Sequence, residues 1–160
     1  LAFSRAEMGS QAVKLEQIRL LSAVQAAVRR ESSSAVTIAV QVRLDISVIA
    51  SAELLTRAIA NLLRNAVKYA GKEGPIRVAA EVRDSQAELT VADSGPGVAE
   101  EYLDRLFEPF FRPEPSRDSD SGGVGLGLAI VKTCVESCGG TVSARNLQPK
   151  GFAVTIALKQ

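Results

Sequence analysis

The sequence contains no histidine. This removes a histidine-based catalytic triad and the commonest zinc ligand together. Tryptophan is also missing, and aromatic residues make up only 4% of the chain. Net charge is nearly absent: 19 Lys and Arg against 18 Asp and Glu leave +1 over 160 residues. That balance excludes nucleic-acid binding by bulk electrostatics and leaves room only for a local basic patch. No apolar run reaches the length of a membrane-spanning helix, and nothing at the start has the pattern of a signal peptide. The first residue is Leu1 rather than methionine, which reads as a piece of a longer protein. Membrane attachment of that parent stays open. Cysteine is reduced to Cys134 and Cys138, four apart on one predicted helix face. That spacing suits a disulfide poorly and no other soft ligand is near, so two small reduced core residues compete with a redox or metal pair.

What is present fits one globular domain with a proper core: 46% hydrophobic and 23% charged residues over 160 positions. Residues 1–14 read as the frayed end of a helix and a polar connector, and 15–160 as the domain itself. Residues 15–18 suggest a short strand, and 20–31 a helix with Leu21, Val24 and Val28 at helical spacing. The alternation of Val36, Ile38, Val40, Val42 and Leu44 predicts a half-buried strand over 36–44. Apolar positions from Leu54 to Val67 recur with helical period over 53–69. Two alternating runs, 76–83 and 87–93, predict a hairpin. One short helical turn stands near 100–106, a helix spans 124–138 and is closed by glycines, and strands at 141–146 and 152–158 end the chain. The expected fold is an α/β two-layer sandwich. A mixed, largely antiparallel sheet is covered on one face by about three helices.

Four clusters carry the chemistry. In the helix over 53–69, Asn61, Asn65 and Lys68 form one polar stripe beside the apolar face. Asparagine is a poor helix former, so two of them here suit either a solvated face or the lining of a cleft, where amide oxygens fit a hard cation and the lysine a phosphate. On the strand over 87–93, Asp93 continues the parity of Ala87, Leu89 and Val91, which aims a carboxylate at the covered face as the strand runs into DSGPG. A turn-forming aspartate and an acceptor for the exocyclic amine of a bound base are both open there. The segment LFEPFFR (106–112) holds three of the five phenylalanines and leads into PEPSRDSDSGG, too polar to pack a core. This suggests a lid carrying Arg112 and Arg117, or a plain loop with an apolar foot. Finally, Gly123, Gly125 and Gly127 alternate with Val124, Leu126 and Leu128 where a helix begins. Backbone amides at a helix start attract anions and glycine lets them come close. No Lys-Ser/Thr follows, so this is not a P-loop.

In this order, NLLRNAVKY (61–69), DSGPG (93–97), FEPFFR (107–112) and GVGLGL (123–128) resemble the N, G1, F and G2 boxes of sensor histidine kinases. Similar boxes occur in the wider family of gyrase, Hsp90, histidine-kinase and MutL ATP-binding domains. The resemblance runs from about residue 15 to residue 158, and LAFSRAEMG looks like the tail of a preceding dimerisation helix. It implies an ATP-binding catalytic domain with a mobile ATP lid. By this resemblance Asn65 would ligate Mg²⁺ between the ATP phosphates with Asn61 assisting, Lys68 would contact phosphate, and Tyr69 would cover the adenine. Asp93 would accept a hydrogen bond from the adenine amino group. Gly95 and Gly97 would turn the chain against the base. Gly123, Val124, Gly125, Leu126, Gly127 and Leu128 would border the triphosphate, and Arg112 and Arg117 would stand near the γ-phosphate. The implied partners are the parent's own dimerisation and histidine-phosphotransfer domain and, downstream, a response-regulator receiver domain. A homodimeric, membrane-anchored bacterial sensor with this domain in the cytoplasm is the expected parent, the isolated piece being monomeric and touching neither nucleic acid nor membrane.

The rivals are a gyrase- or Hsp90-like ATPase, an ATP-binding regulatory or scaffold module without turnover, and a serine kinase of the same superfamily. The ATPase relatives carry a glutamate as general base four residues before the Mg²⁺ asparagine. Here Asn61 stands at that position, and an amide has no basicity.

Overall fold

The computed structural model describes residues 13–32, 36–70, 72–113 and 124–160. Along the chain run β1 (Glu16–Arg19), α1 (Leu20–Glu31), β2 (Ile38–Gln41), β3 (Ser47–Ala50) and α2 (Ala52–Ala70). Next come β4 (Ile76–Arg83), β5 (Gln86–Asp93), a 3-10 helix (Glu100–Arg105), α3 (Gly127–Ser137), β6 (Thr141–Asn146) and β7 (Phe152–Lys159). Five strands form one sheet in the order β2-β4-β5-β7-β6, and β1 pairs with β3 in a separate two-stranded ribbon. Within the large sheet only β2 and β4 are parallel; the other three pairings are antiparallel.

The sheet has one apolar face, and this decides the architecture. Ile76 and Val78 of β4, Ala87, Leu89 and Val91 of β5, and Val154, Ile156 and Leu158 of β7 are all buried. Each set follows the two-residue period of a strand, so their side chains point to the same side. The opposite side carries Arg77, Glu81, Glu88 and the Thr90–Thr155 pair, whose hydroxyls meet at 2.9 Å. Glu81 and Glu88 face each other across β4 and β5. Arg83 offsets their repulsion, standing 2.8 Å from Glu81 and 3.9 Å from Glu88. Helices therefore cover one face only, as the binary pattern predicts.

The helices dock by their apolar stripes. Leu54, Leu55, Ala58, Ile59, Leu62, Leu63 and Ala66 of α2 are buried at helical spacing and join one core with Leu20, Val24 and Ala27 of α1 and Val131, Cys134 and Val135 of α3. Both cysteines are free and buried, and burial pushes both thiols up. They are core residues, and a raised thiol is a poor nucleophile or metal ligand. Helix α3 ends as predicted on Gly139 and Gly140, whose amides donate to Glu136 and Val135. The β4–β5 hairpin closes through Asp84 and Ser85, both with positive φ (48° and 64°), the twist a two-residue turn requires.

Three expectations need correction. The strand expected over 36–44 is confined to Ile38–Gln41, because Leu44 and Asp45 form a turn in which Arg43 bonds the Asp45 carboxylate and Leu44 is left 72% exposed. Strand β3 was not anticipated. Its signal is the alternation of buried Ile46, Val48 and Ala50, too short to stand out beside the run that precedes it. Helix α3 begins at Gly127 rather than at 124, since Gly125 has a φ of +75° and cannot continue a right-handed helix. The expected helix tail at the start of the chain lies outside the described residues.

Leu63 is fully buried where α2 meets the sheet. Leu63→Ala should cost about 2–5 kcal/mol in urea unfolding, the range for a core leucine truncation. Arg77→Ala on the outer face should stay within about 0.5 kcal/mol. Equal losses for the two would contradict a one-sided core.

Candidate functional site

The polar stripe of α2 lies on the helix surface left uncovered by the core. Asn61 and Asn65 are half-buried and Lys68 is exposed. The two amides have different surroundings. Asn61 donates to the Arg57 carbonyl at 2.9 Å and accepts from Arg64 at 3.4 Å. Arg64 is in turn gripped by Glu31 of α1 through two bonds of 3.2 and 2.6 Å. A shallow groove opens beside this network, lined by Arg30, Arg57, Ala60, Asn61, Arg64 and Ile130.

Asn65 instead faces the start of α3. A Cβ placed on Gly127 would stand 3.2 Å from its Oδ1 and 3.3 Å from its Nδ2. Glycine at 127 thus keeps bare backbone against the amide. The first turn of α3 carries no acidic residue, and no side chain caps it. Its unpaired amides leave partial positive charge at that end. Gly125 lies against the phenylalanine segment: the Phe110 N–H donates to its carbonyl at 2.9 Å, and Phe110 itself has a φ of 65°. Val124 is 69% exposed. Leu126 is half-buried, and Leu128 packs on the core, so backbone is what Leu128 can offer a ligand.

Asp93 sits at the last position of β5, half-buried, in line with the buried residues of that strand. Its Oδ1 accepts the Gly95 N–H at 2.8 Å. The turn-forming role and the inward-facing role are therefore held by one side chain. Burial raises the Asp93 carboxyl above its ordinary range, and the amides of Gly95 and Phe152 act against that rise. Gly95 joins this loop to the end of α2. A Cβ there would meet the Ala70 Cβ at 2.8 Å and the Tyr69 carbonyl at 3.5 Å. Tyr69 leaves 61% of its surface exposed, and the Lys68 ammonium stands 5.1 Å from its ring centre.

On the far side, Arg112 is half-buried and follows Phe111, whose ring is flanked by the Arg105 guanidinium at 4.2 Å and by Tyr102 at 5.7 Å. Arg117 and Gly123 lie outside the described residues. The structure thus joins the stripe of α2, the DSGPG loop, the phenylalanine segment and the start of α3 by direct contacts. Two contributors were not anticipated. Asn146 bonds both backbone groups of Val98, and Glu31 holds Arg64 beside Asn61. Neither carries a local signal, because each acts on a residue far away in the sequence.

The same fold recurs in known proteins. A family model described as histidine kinase-, DNA gyrase B-, and HSP90-like ATPase matches residues 50–160. BaeS of Escherichia coli K12, a signal transduction histidine-protein kinase, is 40% identical over 113 residues, covering 71% of this chain and 24% of that protein. SenX3 of Mycobacterium tuberculosis H37Rv, a sensor-like histidine kinase, is 31% identical over 162 residues, covering 99% of this chain and 40% of that protein. Among solved structures, the mycobacterial sensor histidine kinase MprB superposes with a TM-score of 0.81 at 32% identity, over 90% of this chain and 97% of that one. Full-length ShkA in complex with AMPPNP superposes with a TM-score of 0.78 at 27% identity, over 96% of this chain and 33% of that one. The chain thus spans between 24% and 40% of the length of these curated relatives. With the match extending from β3 to the last residue, the chain belongs to the histidine kinase-, DNA gyrase B-, and HSP90-like ATPase family, as an ATP-binding catalytic domain of the sensor histidine kinase type.

Proposed function

We propose that this domain binds ATP together with Mg²⁺ between α2, the loop after β5 and the start of α3. It passes the γ-phosphate to a histidine on a dimerisation domain outside this chain. The phosphoryl group then moves to an aspartate of a receiver domain. In this reading the parent is a dimeric, membrane-anchored sensor with the domain on the cytoplasmic side. The observation that carries the proposal is the approach of Asn65 to the bare backbone of Gly127, at one end of a helix whose other face fills the core. A neutral amide beside uncapped helix amides is chemistry suited to a metal–phosphate pair.

The residues divide the work as follows. Asp93 accepts the adenine amino group, a contact that guanine, with an oxygen at that place, would turn into repulsion. Tyr69 covers the base, and Gly95 and Gly97 bring backbone against it. Asn65, assisted by Asn61, holds Mg²⁺, which when bound neutralises phosphate charge. Among the described residues no cluster of three acidic, cysteine or histidine side chains could hold a metal by itself. The neutral amides would hold the cation poorly without the nucleotide's own oxygens. The amides of Gly125, Leu126, Gly127 and Leu128 would border the phosphates, the sequence resemblance adds Gly123 and Val124 to them, and Lys68, Arg112 and Arg117 would balance the charge of the γ-phosphate. Phosphoryl transfer needs this positioning more than covalent chemistry. Hydrolysis is disfavoured because Asn61, already bonded to Arg57 and Arg64, offers no base to a water.

Calorimetry should show ATP binding that requires Mg²⁺ and is much weaker for GTP; equal affinity for GTP would remove the role given to Asp93. Asp93→Asn should weaken ATP binding by about 1.5–3 kcal/mol, the worth of a hydrogen bond to a charged group.

The same substitution should leave the nucleotide-free fold as stable as the wild type near neutral pH, or more so. The folded-state pKa of Asp93 is raised by burial. Between the ordinary carboxylate value and the raised one, the native state binds more protons than the unfolded chain. Wild-type stability therefore falls as pH rises through that window. Melting curves across the acid range check this: a wild type that gains stability over Asp93→Asn as pH rises to neutral would contradict it.

Supplied in trans with its dimerisation domain, the wild-type chain should label that domain's histidine while hydrolysing almost no ATP alone. Asn65→Ala should abolish labelling, and Lys68→Ala and Arg112→Ala should slow it, all three with unchanged circular dichroism. Normal transfer by Asn65→Ala would remove its metal role, and robust hydrolysis by the isolated chain would favour the ATPase reading.

A further inference from the structure

The loop after Asp93 is held from outside. Asn146, the last residue of β6, donates from Nδ2 to the Val98 carbonyl at 2.6 Å and accepts the Val98 N–H on Oδ1 at 2.9 Å. One side-chain amide thus satisfies both backbone groups of a residue 48 positions away, as a neighbouring strand would. The fit is close: a Cβ on Gly97, which has a φ of +77°, would stand 2.6 Å from Asn146 Oδ1.

Asn146 is itself in register with the site. It lies opposite Phe152 across β6 and β7, and Phe152 lies opposite Asp93 across β7 and β5. Asp93, Phe152 and Asn146 therefore form one row across three strands. The turn that follows Asn146 closes on the same point. Leu147 N–H donates to the Gly151 carbonyl at 2.9 Å, and a Cβ on Gly151 would meet the Asp93 carbonyl oxygen at 2.6 Å.

We propose that Asn146 is a positioning residue for adenine recognition. It fixes residues 94–98 so that the Gly95 N–H orients the Asp93 carboxylate toward the base. The proposal rests on the reading of Asp93 as the adenine acceptor. The loop carries Pro96 between two glycines, a sequence with several accessible backbone conformations, and Val98 at its end is only half-buried, so packing alone does little to choose among them. Without the clamp, the fraction of molecules with the loop in its binding conformation falls. The apparent dissociation constant rises by the inverse of that fraction.

The two bonds differ in what they demand. Asn146→Ala removes both. Asn146→Asp keeps the side-chain size and the acceptor for the Val98 N–H, but sets a second oxygen against the Val98 carbonyl, where no bond can form. This variant keeps the test interpretable if the alanine variant fails to fold.

The test uses the 160-residue chain and two probes, ATP with Mg²⁺ and inorganic tripolyphosphate with Mg²⁺. Tripolyphosphate engages only the phosphate end. Both Asn146 variants should bind ATP about tenfold more weakly, the order expected for losing a partly buried hydrogen bond, and in the alanine variant its partner as well. They should bind tripolyphosphate as the wild type does. Amide resonances of Gly95 and Val98 should shift in both variants without nucleotide. ATP binding unchanged in Asn146→Asp overturns the proposal. So does an equal loss for both probes, which would mark Asn146 as a general stabiliser. Asp93→Asn, measured alongside, separates the two readings. If it weakens ATP while the Asn146 variants do not, the clamp falls and the adenine site stands. If it has no effect, the adenine site falls and the clamp's role with it.

Discussion

The burial of one face of α2 is the constraint on which the rest depends. Its apolar stripe is shared by the sheet, by α1 and by α3, so its rotation about its own axis is fixed by the core. That fixes where Asn61, Asn65 and Lys68 point. A polar stripe on a helix free to roll would present its groups to solvent in many directions. On a helix locked by Leu55, Ile59 and Leu63, two amides are held at one place. The hydrophobic effect, which has no direction, thereby sets the direction of the polar chemistry.

The second layer of order comes from places where a side chain is missing. Ala70 approaches Gly95, and Asn65 approaches Gly127, at distances a Cβ could not tolerate without displacing its neighbour. These contacts bring the loop after β5 and the start of α3 against one helix, with backbone rather than side chain at each approach. A partly buried carboxylate at its edge fits the same logic. Asp93 is held in an environment that disfavours its charge and is steadied by two amides.

Much of this was legible before any coordinates. Helix α2 and the β4–β5 hairpin announce themselves by period, because each buries one face and exposes the other over a long run. The same holds for Asp93, whose parity with Leu89 and Val91 reveals the side it faces. What could not be read is long-range or very short. Strand β3 has four residues, all but too few to show a period. The positive φ of Gly125 depends on Phe110, against whose backbone it packs, so the true start of α3 could not be read from residues 123–128 alone. Asn146 reads as an ordinary residue before a turn until Val98 is seen beside it.

The hydrogen bond from Phe110 to Gly125 has one more consequence. It fixes residues 110 and 125 beside each other. The entropy of closing a loop grows only with the logarithm of its length, about 0.6 kcal/mol for each doubling. The cost of closing the chain between these two anchors therefore depends only weakly on how many residues join them. The pinned pair thus holds the start of α3 against the phenylalanine segment through one local contact, whatever the length of chain that joins them.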